Sequence, residues 1–334
     1  MKGALEALVV LINNNNMGKV KAIVFSDLHY DDWASLKNKT TFENIPRAVM
    51  QIISEQCTKY NCSALFCGDI FDKPQSISNS VFNNFLEDYY KLFELNGINL
   101  YAISGNHDQM GTNTKNSRAI NWLKPLDKIF HTFHLVDYKR TKVVGFENTF
   151  VTGIPYSRSN MDLMEIPKPK KKHKNILLIH TELPGASDPS GYTNENIENV
   201  KSLDIFRGYK LVLSGHIHKP DELKKGKVFM IGAPYQQRVS DMGCEMGFWK
   251  IYSDMSMVFV HLDSLPQFRK KKTKKHNDSK DIFIEETQFK NVTITNDDAI
   301  EYESTSTVDI CKEYLNKKGI TEDKKVKALL ESVR

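Results

Sequence analysis

Five apolar runs in this chain are each followed by side chains that can bind a metal ion. These side chains are aspartates, an asparagine and histidines, whose oxygen and nitrogen atoms suit Mn²⁺, Fe or Zn²⁺. Cysteine is not among them, which argues against a structural zinc site. The candidate residues are Asp27, His29, Asp69, Asn106, His107, His180, His216 and His218.

The apolar runs have the composition of buried strands, so the fold must bring their ends together. Residues 20–25 lead into Asp27, and residues 62–67 lead into Asp69. Each cluster alone has an ordinary explanation, either as a turn or as a core histidine. Open α/β sheets, however, place their ligands at the carboxyl ends of the strands. Five such runs in one chain therefore predict a single site with enough ligands for two ions.

Helical spacing alternates with these strands in the first half of the chain. Residues 45–60 and 81–95 repeat apolar side chains at helical intervals. Beyond residue 140 the pattern is mostly that of strands. The strands predicted there cover residues 143–146, 150–154, 175–179, 211–213, 228–231, 248–252 and 257–262. This order of elements predicts a layered α/β (α+β) domain.

Changes in composition divide the chain into four segments. They are a disordered extension at 1–16 with Met17 as an alternative start, a main domain at 17–265, a basic linker at 266–280 and a small unit at 281–334. The last unit has two predicted helices, 307–316 and 324–333, each with an apolar stripe. About 55 residues are too few for a good core, so this unit must pack on the main domain or on a partner.

The overall composition excludes some classes of protein. No run approaches the ~20 apolar residues of a membrane span, so no membrane segment is expected. The five cysteines are odd in number and lack zinc-site spacing, and we interpret them as reduced thiols in a reducing compartment. The cytoplasm is the expected location, or the nucleus if the source is eukaryotic.

The motifs and their order resemble those of the calcineurin-like metallophosphoesterases. The matching motifs are Asp-x-His at Asp27, Gly-Asp at Asp69, Gly-Asn-His-Asp at Asn106, a lone His180 and Gly-His-x-His at His216, over about residues 19–262. The resemblance implies a β-sandwich flanked by helices, with a small C-terminal α/β appendage. It also implies two divalent ions, Mn²⁺ before Fe or Zn²⁺, which can clamp a phosphate and activate the attacking water.

The same resemblance implies a role for each motif residue. Asp27, His29 and His218 hold the first ion, Asn106, His180 and His216 hold the second, and Asp69 bridges both. His107 stays off the ions, faces the scissile phosphate and, when protonated, supplies a proton to the leaving oxygen. Asp72 matches a position that steadies this histidine in some branches of the family.

Three features resemble the SbcD-type DNA repair nucleases and their phage relatives. They are residues 68–73, the segment 231–249 after the last histidine pair, and the basic linker with the small unit behind it. The resemblance implies a DNA exonuclease and endonuclease subunit, an SMC-like ATPase of the SbcC type bound through the C-terminal helices, and homodimer contacts through residues 45–60 or 81–95. The residues expected to contact the DNA backbone are Arg269, Lys270, Lys271, Lys272, Lys274 and Lys275.

Two other functions fit the same motifs. A free-standing phosphodiesterase for cyclic or small nucleotides would use the same ligands, but it has no need of a C-terminal unit. A catalytically silent DNA-binding or scaffold subunit would not need the complete ligand set. The basic runs at 168–174 and 269–275 also have a simpler interpretation, because a run of charges is usually a solvated loop.

Overall fold

The computed structural model describes residues 18–32, 39–110, 120–157, 163, 166–193, 197, 200–270 and 282–285. The predicted extension at 1–16 and the predicted helices at 307–316 and 324–333 lie outside these residues. The described part is built on two six-stranded sheets, with helices against the first of them.

The first sheet carries the strands of the first half of the chain. Its strands are β1 (Val20–Phe25), β2 (Ser63–Phe66), β3 (Leu100–Ala102), β6 (Phe133–Leu135), β13 (Gly247–Tyr252) and β14 (Met257–His261). They lie in the order β14-β13-β1-β2-β3-β6. From β1 to β6 the pairing is parallel, whereas β13 pairs antiparallel with both β1 and β14. The carboxyl ends of β1, β2 and β3 therefore share one edge.

The second sheet is formed by the middle of the chain. Its strands are β7 (Arg140–Lys142), β8 (Thr149–Ile154), β9 (Lys174–His180), β10 (Leu211–Gly215), β11 (Asp221–Lys224) and β12 (Val228–Met230). They lie in the order β11-β12-β10-β9-β8-β7, with parallel pairing from β8 to β12. Two short antiparallel pairs complete the strands, β4 (Gln109–Met110) with β5 (Ile120–Asn121) and β15 (Gln267–Lys270) with β16 (Ile282–Glu285).

Three α-helices are described. Two of them begin before the helices predicted at 45–60 and 81–95, and the third was not predicted from the sequence. They are α1 (Lys39–Tyr60), α2 (Asn79–Tyr89), which continues as a π-helical turn at Tyr90–Glu94, and α3 (Leu123–Ile129). The Ser78 hydroxyl caps α2 by accepting from the Val81 N–H over 3.3 Å. Within the described ranges, no helix has the length and apolar character needed to cross a membrane.

Successive side chains along a strand point to opposite faces of the sheet, so the first sheet contributes to two hydrophobic cores. In β1, Ala22 and Val24 face the second sheet, while Ile23 and Phe25 belong to the core shared with the helices. The outer face of the second sheet is covered by the segment that includes the 3₁₀ turn Leu203–Phe206. Two sheets flanked by helices confirm the predicted layered α/β fold.

The strand predicted at 143–146 is wrong. These residues form the tight connection between β7 and β8, in which Val143 N–H donates to the Thr149 carbonyl and Thr149 N–H to the Phe146 carbonyl. Val143 and Phe146 are buried, so an apolar turn produced the strand-like pattern. At the other end of the domain, β15 occupies residues predicted as linker, and its Phe268 packs into the helix-side core.

Candidate metal centre

The candidate ligands follow the carboxyl ends of parallel strands from both sheets. Asp27 and His29 follow β1, Asp69 follows β2, Asn106 and His107 follow β3, His180 ends β9, and His216 and His218 follow β10. The structure therefore brings all the sequence-predicted candidates together at one edge of the sandwich.

Backbone strain concentrates at this edge. Asp27, His29, Asp69 and His216 have φ between 48° and 87°, and they are four of the eight non-glycine residues with positive φ in the described chain. Such conformations are costly for residues with a Cβ and persist only where the surroundings fix them. Gly68, at φ 99°, is required as glycine because an added Cβ would lie 2.4 Å from His180 Nδ1.

Asp27, His29 and His218 form the first cluster, with one ligand atom of each within 4.8 Å of the others. All three side chains are buried. Nδ1 of His29 donates to Asp72 Oδ1 over 3.1 Å, and Nδ1 of His218 donates to Asp241 Oδ2 over 3.2 Å. Since a carboxylate only accepts, each ring keeps Nε2 for a metal ion.

Asp69, His180 and His216 form the second cluster, again with ligand atoms within 4.8 Å. His180 Nδ1 donates to the Cys67 carbonyl over 2.6 Å, which leaves its Nε2 facing the cluster. Asn106 Oδ1 lies 3.1 Å from His180 Nε2 and 3.0 Å from His216 Nδ1. The amide oxygen of Asn106 is therefore in position to complete this cluster.

The Asp69 carboxylate lies between the two clusters. Its Oδ2 is 3.1 Å from His180 Nε2 and 3.7 Å from His29 Nε2. Its Oδ1 accepts from the His107 backbone N–H over 2.8 Å. This position fits the bridging role that the family resemblance implies for Asp69.

The residues present fit two divalent cations. His29 Nε2 is buried and has no hydrogen-bond partner among the described residues, an arrangement that costs about 1–3 kcal/mol when nothing fills it. The neighbouring oxygens belong to Asp27 and Asp69, at 3.8 and 3.7 Å. A cation between this nitrogen and these carboxylates would satisfy all three groups. The ligand role of each residue stays a prediction.

The carboxylates dominate the electrostatics of the metal-free site. Burial lowers the pKa of His29, but Asp27, Asp72 and Asp69 outweigh it and raise that pKa to about 10. Burial also lowers the pKa of His180, but the charge of Asp69 outweighs burial and raises that pKa to about 9. Burial lowers the pKa of His216 to about 4, helped by the charge of His180. The carboxylates thus create a field that favours positive charge at His29 and His180.

His107 and Asp72 contact each other differently from the expectation. The ring Nδ1 of His107 donates to the backbone carbonyl of Asp72, whereas the Asp72 carboxylate pairs with His29. His29 Nδ1 lies 3.1 Å from the Asp72 carboxylate, and His107 instead bonds to the carbonyl of the same residue. His107 is only partly buried and keeps Nε2 available to a substrate.

Asp108 joins the two central loops, and we did not assign it from the sequence. Its carboxylate accepts from the backbone N–H groups of Asp69, Ile70, Phe71 and Gly105 over 2.8–3.1 Å. It is fully buried, and burial together with the charge of Asp69 raises its pKa to about 7. The indication available in the sequence was its place as the last residue of Gly-Asn-His-Asp.

Asp241 joins His218 to the segment that carries Arg238. Besides pairing with His218, its Oδ2 accepts from the backbone N–H groups of Gln237 and Arg238, each over 2.9 Å. Arg238 is exposed and is the one lysine or arginine among the residues that line the metal pocket of about 360 Å³. Nothing in the local sequence marked Asp241, because its partner His218 lies 23 residues away.

The described residues of the two basic segments, 168–174 and 269–275, differ in their position relative to the edge that carries the candidate ligands. The exposed lysines of the loop 168–172 precede β9, and His180 ends that strand six residues after Lys174. At 3.3 Å per residue this puts the loop about 20 Å from the cluster, which favours the solvated-loop interpretation. Arg269 and Lys270 lie in β15, while Lys271, Lys272, Lys274 and Lys275 are outside the described residues.

Comparisons with known proteins agree with this geometry. The family model described as "Calcineurin-like phosphoesterase" matches residues 20–220, a span that includes all the candidate ligands. Among solved structures, the chain is similar to a crystal structure of a dimetal phosphatase from Danio rerio, with 10% identity and a TM-score of 0.42. That match covers 73% of this chain and 96% of the other, and it is too distant to carry a functional argument. No curated protein matches the sequence.

Proposed function

The chain belongs to the calcineurin-like phosphoesterase family, and on this basis we propose that it is a two-metal-dependent DNA nuclease of repair or recombination. Phosphoester hydrolysis is the reaction class of the family. The observation that carries the proposal is the complete donor set at the edge shared by both sheets, in which every member except Asn106 and His216 is buried. A silent scaffold subunit has no use for such a set, so we place that alternative behind hydrolysis.

Different residues have different roles in the proposed hydrolysis. Two bound cations, Mn²⁺ before Fe or Zn²⁺, would supply a clamp for the phosphate oxygens and lower the pKa of the attacking water. His107, fixed through Nδ1 by the Asp72 carbonyl, presents Nε2 to protonate the leaving oxygen. A positioned acid of this kind contributes roughly 10²–10⁴ in rate. Asp108 holds the loops of Asp69 and His107 in register through its four N–H bonds.

Three features beside the metal pocket support a polynucleotide substrate. Arg238 gives the pocket an exposed cation that suits a phosphate next to the scissile one. The Phe268 N–H donates to Gln236 Oε1 over 2.7 Å, so the basic run that starts at Arg269 begins beside the same segment. The Tyr156 ring lies 5.8 Å from the His216 ring, and an aromatic ring at this edge can stack on a base.

The second candidate is a phosphodiesterase acting on cyclic or small nucleotides. A specific observation favours it, since a pocket of about 360 Å³ is in the range of sites for small ligands. The two functions differ in what they need outside that pocket. Only the nuclease needs Arg238 and the basic run to hold a backbone that continues beyond the scissile phosphate.

Cleavage of linear duplex DNA, beside bis(p-nitrophenyl) phosphate as a generic diester, tests the proposal. With Mn²⁺ we expect both to be cleaved, and chelator should stop both. The variant Arg238→Gln should slow DNA cleavage severalfold and leave the dye reaction unchanged, because only DNA offers a second phosphate. Dye cleavage without DNA cleavage would leave the small-nucleotide candidate in place, and no cleavage of either would favour a scaffold.

We further propose that the C-terminal unit binds an SMC-like ATPase of the SbcC type by helix-in-groove docking. The support is the apolar stripe in each helix predicted from the sequence, at 307–316 and 324–333. Deleting residues 305–334 should leave cleavage of the small diester intact and abolish co-purification with the ATPase. Deleting residues 1–16 is the matched control and should retain the partner. A truncated chain that still holds the ATPase contradicts the docking.

A further inference from the structure

A pair of cysteines lies at the end of the first sheet that is opposite the metal centre. Cys57 is in the last turns of α1, and Cys62 directly precedes β2. Cys57 is 1% exposed and Cys62 is 9% exposed. Both line an open pocket of about 350 Å³, together with Asn61 and Gly145. Neither residue belongs to the proposed nuclease machinery, so the chemistry of this pair is independent of the proposed function.

The backbone between the two cysteines forms a helix-ending turn known as the Schellman motif. The Cys62 N–H donates to the Cys57 carbonyl over 3.0 Å, and the Asn61 N–H donates to the Thr58 carbonyl over 3.2 Å. Asn61, at φ 48°, takes the left-handed position that the motif requires. In this motif the side chains at the positions of Cys57 and Cys62 commonly contact each other. Each thiol also shifts the pKa of the other, raising that of Cys57 and lowering that of Cys62.

We propose that Cys57 and Cys62 are a thiol pair that a peroxide oxidises reversibly to an intramolecular disulfide. A disulfide needs Cα atoms about 4.4–6.8 Å apart with the Cβ vectors directed toward each other. The 3.0 Å bond from the Cys62 N–H to the Cys57 carbonyl closes the turn that brings the two residues together. The bond ties the end of α1 to the start of β2. The thiols keep their reduced state in a reducing compartment until an oxidant reaches the pocket.

Cys62 is the thiol that reacts first. Interaction with the Cys57 thiol lowers the pKa of Cys62, and the charges of Lys21 and Lys250 act in the same direction. The Cys62 sulfur attacks hydrogen peroxide, so an S–O bond forms, the O–O bond breaks and one water leaves. The Cys57 sulfur then displaces the hydroxyl from the sulfenic acid, forming the S–S bond and releasing a second water. Two thiols are oxidised and one peroxide is reduced.

Peptide mapping of the full chain after peroxide treatment tests the pair. Trypsin cuts after Lys59, between the two cysteines, so the disulfide joins two peptides that reduction separates. We expect this linked pair, with fragmentation placing the bond on Cys62 rather than Cys67. The Cys62→Ser variant should lose the linked pair, and the Cys244→Ser variant, which removes a partly exposed thiol elsewhere, should keep it.

The folded geometry is tested by repeating the oxidation in urea. Because the turn holds the sulfurs in contact, linkage should form at least about tenfold faster in the native chain than in the unfolded one. Equal rates of linkage in the native and the unfolded chain would overturn the proposal, because the fold would then not promote formation of the disulfide. Recovery of Cys57 and Cys62 as separate peptides after native oxidation, or linkage of either to another cysteine, would also overturn it.

Discussion

At the scale of the residue, the site depends on groups that hold the candidate ligands as much as on the ligands. Each of His29, His180 and His218 has its Nδ1 engaged by a fixed acceptor, so that Nε2 is directed to the clusters. Such outer partners set the orientation and basicity of a metal-binding ring. The clusters are consequently sensitive to changes at residues that touch no metal ion themselves.

Asp69→Ala should abolish binding of both ions, because one carboxylate lies within reach of both clusters. Elemental analysis of the purified variant by inductively coupled plasma mass spectrometry measures its metal content and checks this prediction. Asp31→Ala is a control that removes a nearby carboxylate paired with Lys73 instead, and it should retain both ions. Two ions at wild-type occupancy in the Asp69 variant would contradict the bridging role.

His107→Gln should separate catalysis from metal binding. The ring contacts the Asp72 carbonyl and belongs to neither of the two ligand clusters proposed to hold the ions, so we expect both ions to remain. Turnover should fall by roughly two or more orders of magnitude because the acid is lost. Metal analysis and rates on the same preparation decide the matter. Loss of metal together with activity would make His107 a ligand.

Asp241→Ala should weaken the affinity of the first cluster for its ion by about 10–100-fold, the usual effect of removing an outer carboxylate from a metal-binding histidine. Titration of the apo-protein with Mn²⁺ measures it. Asp241→Asn is the matched variant and should restore part of the affinity, since its side-chain oxygen still accepts from His218. An unchanged affinity in Asp241→Ala would show that His218 needs no such partner.

At the scale of the element, a partly buried ion pair joins α1 to α2. The Arg47 Nε donates to Asp88 Oδ1 over 2.6 Å, and the Tyr30 hydroxyl donates to Asp88 Oδ2 over 3.0 Å. Burial raises the pKa of Asp88 to about 6 although Arg47 opposes this. A carboxyl with a raised pKa contributes stability that is present below about pH 4 and is lost as the pH rises through about 6. The helix contact therefore depends on Arg47 most at neutral and higher pH.

Arg47→Leu should lower the free energy of unfolding by roughly 3 kcal/mol at pH 8, where it leaves the buried Asp88 carboxylate without its cation. The loss should be smaller at pH 5, because Asp88 without its partner is then neutral. Urea unfolding of the chain at both pH values checks the difference. Arg47→Lys keeps the charge and should lose less at pH 8. A loss that does not change with pH would assign the effect to packing alone.

At the scale of the whole molecule, the described residues of the two basic runs have different neighbours. The loop 168–172 lies at the amino end of β9, away from the clusters, whereas Arg269 follows a residue bonded to Gln236 beside the metal pocket. We therefore expect DNA held at the metal centre to contact the second run rather than the first. The geometry gives the two runs opposite expectations in one experiment.

Reversing the charges of Arg269, Lys270, Lys271, Lys272, Lys274 and Lys275 to glutamate should weaken DNA binding equally for all sequences. The slope of log K against log salt should become shallower by about 0.9 for each phosphate that the variant no longer neutralises. Reversing Lys168, Lys170, Lys171 and Lys172 is the matched control and should change the slope less. Equal slopes for the two variants would contradict DNA contact by the second run and favour its interpretation as a solvated segment.

The sequence by itself determined the ligand chemistry and the elements that carry it. Apolar runs, helical spacing and the polar residues that end each run are local properties, so β1, β2, α1 and the residue types of both clusters could be predicted. The tertiary structure decided the partners, because these are distant in sequence, as in the bond from the His216 N–H to Asp27 over 189 residues. Only the fold shows that Asp72 pairs with His29 and that an apolar turn replaces the strand predicted at 143–146. Local patterns cannot specify the pairing of Asp72 with His29, since the two residues are 43 positions apart and are brought together by the pairing of β1 with β2.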